Sequence, residues 1–212
     1  MGEPVRLDRQ RIIDAAFALI NEVGLDGLST HRLAAVLDVK QPALYWHFPT
    51  KKALLEALAQ EMVDRYHTRP LPKAGEGWRE FLFSNARSFR RALLSVRDGA
   101  RLHAGTRPTA AAVEHPERQI QFLTEAGFSA EAAAYSLIAI SRYTVGAVLE
   151  QQAESEKPGD IDESAEGLPG LLARLEAAGP DVEFEFGLTA LIDGIEGQLA
   201  TAVSQRGRRR TT

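Results

Sequence analysis

Gln41, Tyr45, Trp46 and His47 crowd one short stretch, where a solvent-facing segment would ordinarily carry lysine and glutamate. These types suit contact with nucleic acid. Glutamine can pair bidentately with adenine, and tyrosine, threonine and histidine can reach phosphates or thymine methyls. Lys51 follows at the start of the next predicted helix, where its charge and a helix N-terminus together favour a phosphate. The competing reading is a plain helical hairpin whose aromatics pack inward. A second scatter of polar residues, His67, Asn85, His103, Thr106, Gln119 and Glu150, lies in an otherwise apolar frame. Singly, such residues are more often surface or hydrogen-bonded core positions than ligands. The His103–Thr106 spacing is no metal motif. A hydrolase using His67, His103 and Glu150 has little support, because H-E-x-x-H and G-x-S-x-G are both absent. Cysteine is also absent, which removes thiol nucleophiles, disulfides and zinc–cysteine sites.

The elements that must hold these residues read as helices throughout. Ile13, Ala16, Phe17 and Ile20 form an i, i+3, i+4, i+7 stripe between about Asp8 and Val23, with Gly24 placed to end the helix. Ser29 or Thr30 can cap a short helix through Leu37. After Leu37-Asp38-Val39-Lys40, another opens at Gln41-Pro42, where proline's missing N–H would be unpaired anyway, and Pro49 ends it. Two short helices across that break have the dimensions of a helix-turn-helix, packed through Leu33, Ala34, Leu37, Val39 and Leu44. Thr50 caps a helix with Leu54, Leu55, Leu58 and Met62. Arg69 to Gly75 is a linker by composition. Helices follow over Trp78–Leu94, near Ala100, and around Ile120, Tyr135, Leu171 and Leu191. The acidic stretch Glu154–Glu166 reads as a loop and the arginine-rich tail as frayed. With no period-two alternation, the expected fold is all-α, with about nine or ten helices and no sheet.

Among the 212 residues the net charge of −4 argues against nucleic acid until it is divided. Residues 1–52 carry seven Lys/Arg against six Asp/Glu, residues 53–203 fourteen against twenty-three, and the last nine add four Arg. A DNA contact therefore belongs to a small, nearly neutral head on an acidic body. No apolar run approaches the ~20 residues needed to span a membrane. The N-terminus, with Glu3 and Asp8, lacks a signal-peptide core. The expectation is a cytoplasmic protein with no membrane partner.

Gln41-Pro42-Ala43-Leu44-Tyr45-Trp46-His47-Phe48 resembles the recognition helix of the tetracycline repressor family. Ser88–Leu94, Arg97-Asp98-Gly99-Ala100, Gly105-Thr106-Arg107-Pro108 and Gly146–Gln152 resemble that family's core in the same order. Similarity runs from about residue 7 to residue 204, weakest in the acidic loop. The resemblance implies an N-terminal three-helix helix-turn-helix domain and a C-terminal helical core for effector binding and dimerisation. It implies domains at 1–50 and 67–205, a connecting helix at 51–66 and a disordered basic tail at 206–212.

The resemblance also assigns roles. Thr30, His31, Gln41, Pro42, Ala43, Tyr45, Trp46, His47 and Lys51 would face a palindromic operator. His67, Asn85, Phe89, Arg107, Pro108 and Gln119 would line a pocket for tetracycline chelated to Mg²⁺. His103 would be the direct protein ligand of the metal. Thr106, and Glu150 from the partner chain, would hold metal-bound waters. The function implied is a homodimeric repressor of tetracycline resistance, not an enzyme. The alternatives are a superfamily repressor answering another hydrophobic molecule and a constitutive DNA-binding protein. Departures from the family pattern are His31 and Ala43 in the head, Pro116 and Ala134 in the pocket, and a poor match around Leu172 and Leu175. Histidine lacks arginine's two-pronged donor set, so His31 should alter one base preference.

Overall fold

A computed structural model describes residues 7–106, 114–154 and 166–209, and among them every regular element is a helix. Helix α1 (Arg9–Gly27) starts where the Asp8 carboxylate accepts the Arg11 N–H at 2.8 Å. It kinks at Gly24, whose φ of 76° lies in the left-handed region that glycine enters freely, and then makes one further turn. Helix α2 (Thr30–Val36) is capped by Ser29, which accepts the Arg32 N–H at 3.1 Å. Helix α3 (Gln41–Tyr45) ends ahead of Pro49: the His47 and Phe48 N–H groups both bond the Leu44 carbonyl, at 3.0 and 2.9 Å, and the proline has no N–H to carry the ladder on. Thr50 caps α4 (Lys51–Tyr66) through the Ala53 N–H at 3.0 Å. Then come α5 (Trp78–Leu94), α6 (Gly99–Ala104), α7 (Glu114–Glu125), α8 (Ala130–Glu154), α9 (Gly167–Ala178) and α10 (Pro180–Arg209). Helix α10 runs through Arg209, so the helical backbone enters the basic segment expected to be a disordered tail.

The chain divides into two compact units along lines that the sequence reading did not draw. The first joins residues 1–68 to residues 89–113, and the second joins residues 69–88 to residues 114–212. The expected boundary near residue 67 follows the chain, whereas the observed one follows packing: the end of α5 and all of α6 belong with the reading head. In the first unit α4 packs on both α1 and α6, and α1 carries the α2–α3 pair. Ile12, Ile20, Leu33, Leu58, Met62, Leu93 and Leu102 are wholly or almost wholly buried. The α5–α6 turn is stitched to the end of α1. Asp98 Oδ2 accepts the Leu25 N–H at 2.8 Å, and Asn21 Oδ1 accepts the Arg97 N–H at 2.8 Å.

The second unit closes around Phe81, Leu82, Leu123, Phe128, Ala133, Ile140, Phe184 and Leu188. Arg87 grips Glu185 with two hydrogen bonds of 2.7 Å, and Arg79 bonds Glu196 at 2.8 Å and also Asp193. Helix α8 is apolar on average although no long apolar run marks it in the sequence. Over Ala130–Ala153 it is long and apolar enough, by length and composition, to cross a membrane. The polar residues Ser136, Ser141, Arg142 and Thr144 interrupt the run without lowering its average much. Only 28% of that stretch is buried within this chain, with Tyr135, Ile138 and Leu149 left exposed.

Candidate nucleic-acid interface and effector site

The head presents α3 as a short rigid platform. Leu44 and Phe48 are buried and anchor it, and the Arg9 guanidinium lies 4.3 Å from the centre of the Phe48 ring. Above these anchors, the Gln41 amide donates to Thr30 Oγ1 at 2.7 Å and to the Tyr45 hydroxyl at 3.3 Å. The side chain best suited to a base edge is thereby held in one orientation, which lowers the ordering cost of a contact. Trp46 is 90% exposed, the largest exposure of any bulky apolar residue described, and Tyr45 beside it is exposed too, so the two aromatic rings are open to a partner. His31, Pro42, Tyr45 and Lys51 are exposed, and Thr30, Ala43 and His47 half-buried. Lys51 opens α4, so its ammonium adds to that helix's N-terminal dipole. The inward-packing hairpin does not describe this head: Leu44 and Phe48 fill the interior while Tyr45 and Trp46 face out. Asp38, at φ 53°, makes the tight turn between α2 and α3.

The predicted effector residues fall into two groups, one in each unit. In the first, Phe89 stands between two imidazoles: its ring centroid is 5.7 Å from that of His67 and 5.1 Å from that of His103. Three residues well separated in sequence thus meet: His67 just past the end of α4, Phe89 within α5 and His103 near the end of α6. Burial holds the His103 imidazole below the usual histidine range, favouring the neutral form. Thr106 follows one turn later, with its hydroxyl donating to the His103 carbonyl at 3.1 Å. In the second unit, Asn85 Nδ2 donates to the Arg69 carbonyl at 2.9 Å and Gln119 Nε2 to the Pro70 carbonyl at 2.6 Å. Asn85 precedes Phe89 by one turn of α5, so the two share a helix face. Glu150 is exposed near the end of α8, and Arg107 and Pro108 lie outside the described residues. Sequence reasoning took Arg69-Pro70 for part of a spacer and missed that the two carbonyls accept from Asn85 and Gln119 respectively. Arginine among prolines was the available signal.

The donor set fits a cation brought in by a chelator better than a resident one. Among the described residues, no three His, Cys, Asp or Glu side chains gather to hold a metal. What is offered is one half-buried imidazole, whose desolvation favours the neutral form, with a hydroxyl close by in sequence. A hard ion that keeps its waters and takes most ligands from an organic molecule needs little more.

Residues 12–58 match the family described as "Bacterial regulatory proteins, tetR family", and residues 71–199 match "Tetracyclin repressor-like, C-terminal domain". The chain is 52% identical over 196 residues to the tetracycline repressor protein class A from transposon 1721 of Escherichia coli, covering 90% of this chain and 91% of that relative. It is 50% identical over 198 residues to the class G protein of Vibrio anguillarum, covering 90% and 94%. The crystal structure of TetR from Acinetobacter baumannii AYE superposes with a TM-score of 0.81 at 50% identity, covering 92% and 99%. A class A TetR in complex with 5a,6-anhydrotetracycline and magnesium does so with 0.74 at 48% identity, covering 90% and 99%. Spanning both regions of these relatives almost from end to end, the chain belongs to the tetracycline repressor (tetR) family of bacterial regulatory proteins.

Proposed function

We propose that this chain is a transcriptional repressor that binds a palindromic operator as a homodimer and is released by tetracycline chelated to Mg²⁺, controlling tetracycline resistance in the cytoplasm. The observation that carries the effector half is the Phe89 ring packed against both His67 and the half-buried His103, whose desolvation favours the neutral imidazole. Phe89 is the apolar wall, and His67, Asn85 and Gln119 hydrogen-bond the drug's polar edge. His103 ligates the ion, while Thr106 and Glu150 of the partner subunit hold its waters. When bound, magnesium supplies a hard positive charge that fixes the drug's chelating oxygens against the imidazole. His103→Ala is expected to weaken tetracycline binding by at least tenfold while leaving drug-free operator affinity unchanged. Fluorescence titration of the drug, with Mg²⁺ and with excess EDTA, checks this. Binding that survives EDTA unaltered refutes the metal assignment.

The second copy is called for by the uncovered apolar faces of α8 (Tyr135, Ile138, Leu149) and α10 (Val182, Phe186), of which Tyr135 and Phe186 are 72% and 79% exposed. A two-fold pair places two heads on half-sites about 34–36 Å apart or a multiple of that distance. Thr30, His31, Gln41, Pro42, Ala43, Tyr45, Trp46, His47 and Lys51 face the DNA. Gln41→Ala should cost about 1–3 kcal/mol on the preferred operator and relax selectivity at one base pair. Lys51→Ala should weaken all sequences alike and flatten the salt dependence. Equal profiles for the two variants across an operator library would overturn that division of labour.

A further inference from the structure

Arg69 is held beside the effector site by its backbone and by one end of its guanidinium. Its N–H donates to Ser88 Oγ at 3.0 Å, and its carbonyl accepts from Asn85 Nδ2 at 2.9 Å. The next carbonyl, that of Pro70, accepts from Gln119 Nε2 at 2.6 Å. The two amides given above to the drug's polar edge are therefore the two that hold this piece of backbone. The Arg69 side chain folds inward and is 16% exposed. Its Nη2 donates to Glu76, whose side chain is 5% exposed and whose other carboxylate oxygen accepts the Lys73 N–H at 2.8 Å. The Arg69 Nε–H is buried and has no acceptor among the described residues. Burying a donor without a partner is costly, and a group left so in a native fold calls for an explanation.

We propose that Arg69 is a specificity-determining residue of the effector site, its Nε–H held for an anionic oxygen on the edge of the effector that Asn85 and Gln119 contact. The proposal rests on the tetracycline reading and narrows it. The favoured effectors carry an ionised enol at that edge, and a neutral hydrophobic molecule leaves the donor stranded. Arginine suits the task because Nη2 can stay on Glu76 while Nε, in the same rigid plane, points elsewhere. A lysine ammonium has no second fixed donor of this kind.

The test uses the full chain with Mg²⁺ and two probes: tetracycline, and an enol ether of it that is neutral at that edge but keeps its chelating oxygens. Arg69→Lys retains the charge and can still pair with Glu76. Arg69→Met combined with Glu76→Met removes both charges together, so neither is left buried alone. Both are expected to bind tetracycline roughly ten- to a hundredfold more weakly than the parent. Their affinity for the enol ether should stay within about threefold, and operator binding without drug should be unchanged. Equal losses for both probes would make Arg69 a staple of the loop only, and no loss for either would leave it without a role; each result overturns the proposal. Failure of the parent protein to bind tetracycline with Mg²⁺, while it still binds operator, would instead bring down the tetracycline reading beneath it.

Discussion

Saturating tetracycline with Mg²⁺ is expected to weaken operator binding about 10⁴-fold, roughly 5.5 kcal/mol, the differential that moves a two-state equilibrium from 1:99 to 99:1. The packing of the first unit supplies the route. His103 lies near the end of α6, and α6 packs on α4, which begins at the head with Lys51 and ends beside His67. The N-terminus of α6 is also tied to α1. Asp98 accepts the Leu25 N–H at 2.8 Å, and Arg101 donates to both carboxylate oxygens of Asp26 at 3.0 Å. The Arg101–Asp26 pair is exposed and worth little by itself, so the Asp98 bond and the α4 contact carry the coupling. A drug that reorders α6 thus moves two elements of the head at once, and the paired heads lose the half-site spacing. Linkage requires operator DNA to weaken drug binding by the same factor. Trp46 fluorescence reads the DNA side and the drug's own fluorescence the other. Unequal factors would show that the scheme omits a state, and unchanged operator affinity at saturating drug would refute induction.

Gly99→Ala should destabilise the protein by about 3 kcal/mol or more, a large share of the roughly 5–15 kcal/mol that holds a domain folded. A Cβ at Gly99 would lie 2.1 Å from the Leu93 carbonyl oxygen and 3.1 Å from the Met62 sulfur. The first of these is backbone at the end of α5, so no side-chain rotation relieves it. The Gly99 N–H also bonds the Val96 carbonyl at 2.9 Å, which fixes the chain in that position. Any relaxation must push α6 off α4, so surviving folded protein should respond poorly to drug. Gly77→Ala is the control, because nothing lies within 4 Å of its Cβ position, and it should shift stability by less than about 0.5 kcal/mol. Urea midpoints with unchanged slopes measure both. Equal stability for the two variants would show that the α5–α6 turn yields more than this packing allows.

The helical elements were legible because their signals are local. Asp8, Ser29 and Thr50 cap as their types predict, and the Ile13–Ile20 stripe is the buried face of α1. The exposed Gln41–His47 cluster was legible too, since a short helix with Leu44 and Phe48 as anchors leaves those neighbours outward. Less legible was the α8 face. Its apolar residues are split by Ser136, Arg142 and Thr144, and a run-length criterion misses a helix that is apolar on average and uncovered on one side.

The sequence by itself determined an all-helical chain, a helix-turn-helix with outward-facing aromatic side chains, and residue types matching a known effector chemistry. Those follow from period, capping and side-chain identity, which act within a few residues of one another. Only the tertiary structure decided that α6 belongs with the reading head, that the Phe89 ring meets both His67 and His103, and that the Arg69 and Pro70 carbonyls accept from Asn85 and Gln119. These contacts join residues separated by 14 to 49 positions. They depend on how helices pack on one another and on the 69–70 segment, and no local pattern in a single chain encodes which distant residues will meet.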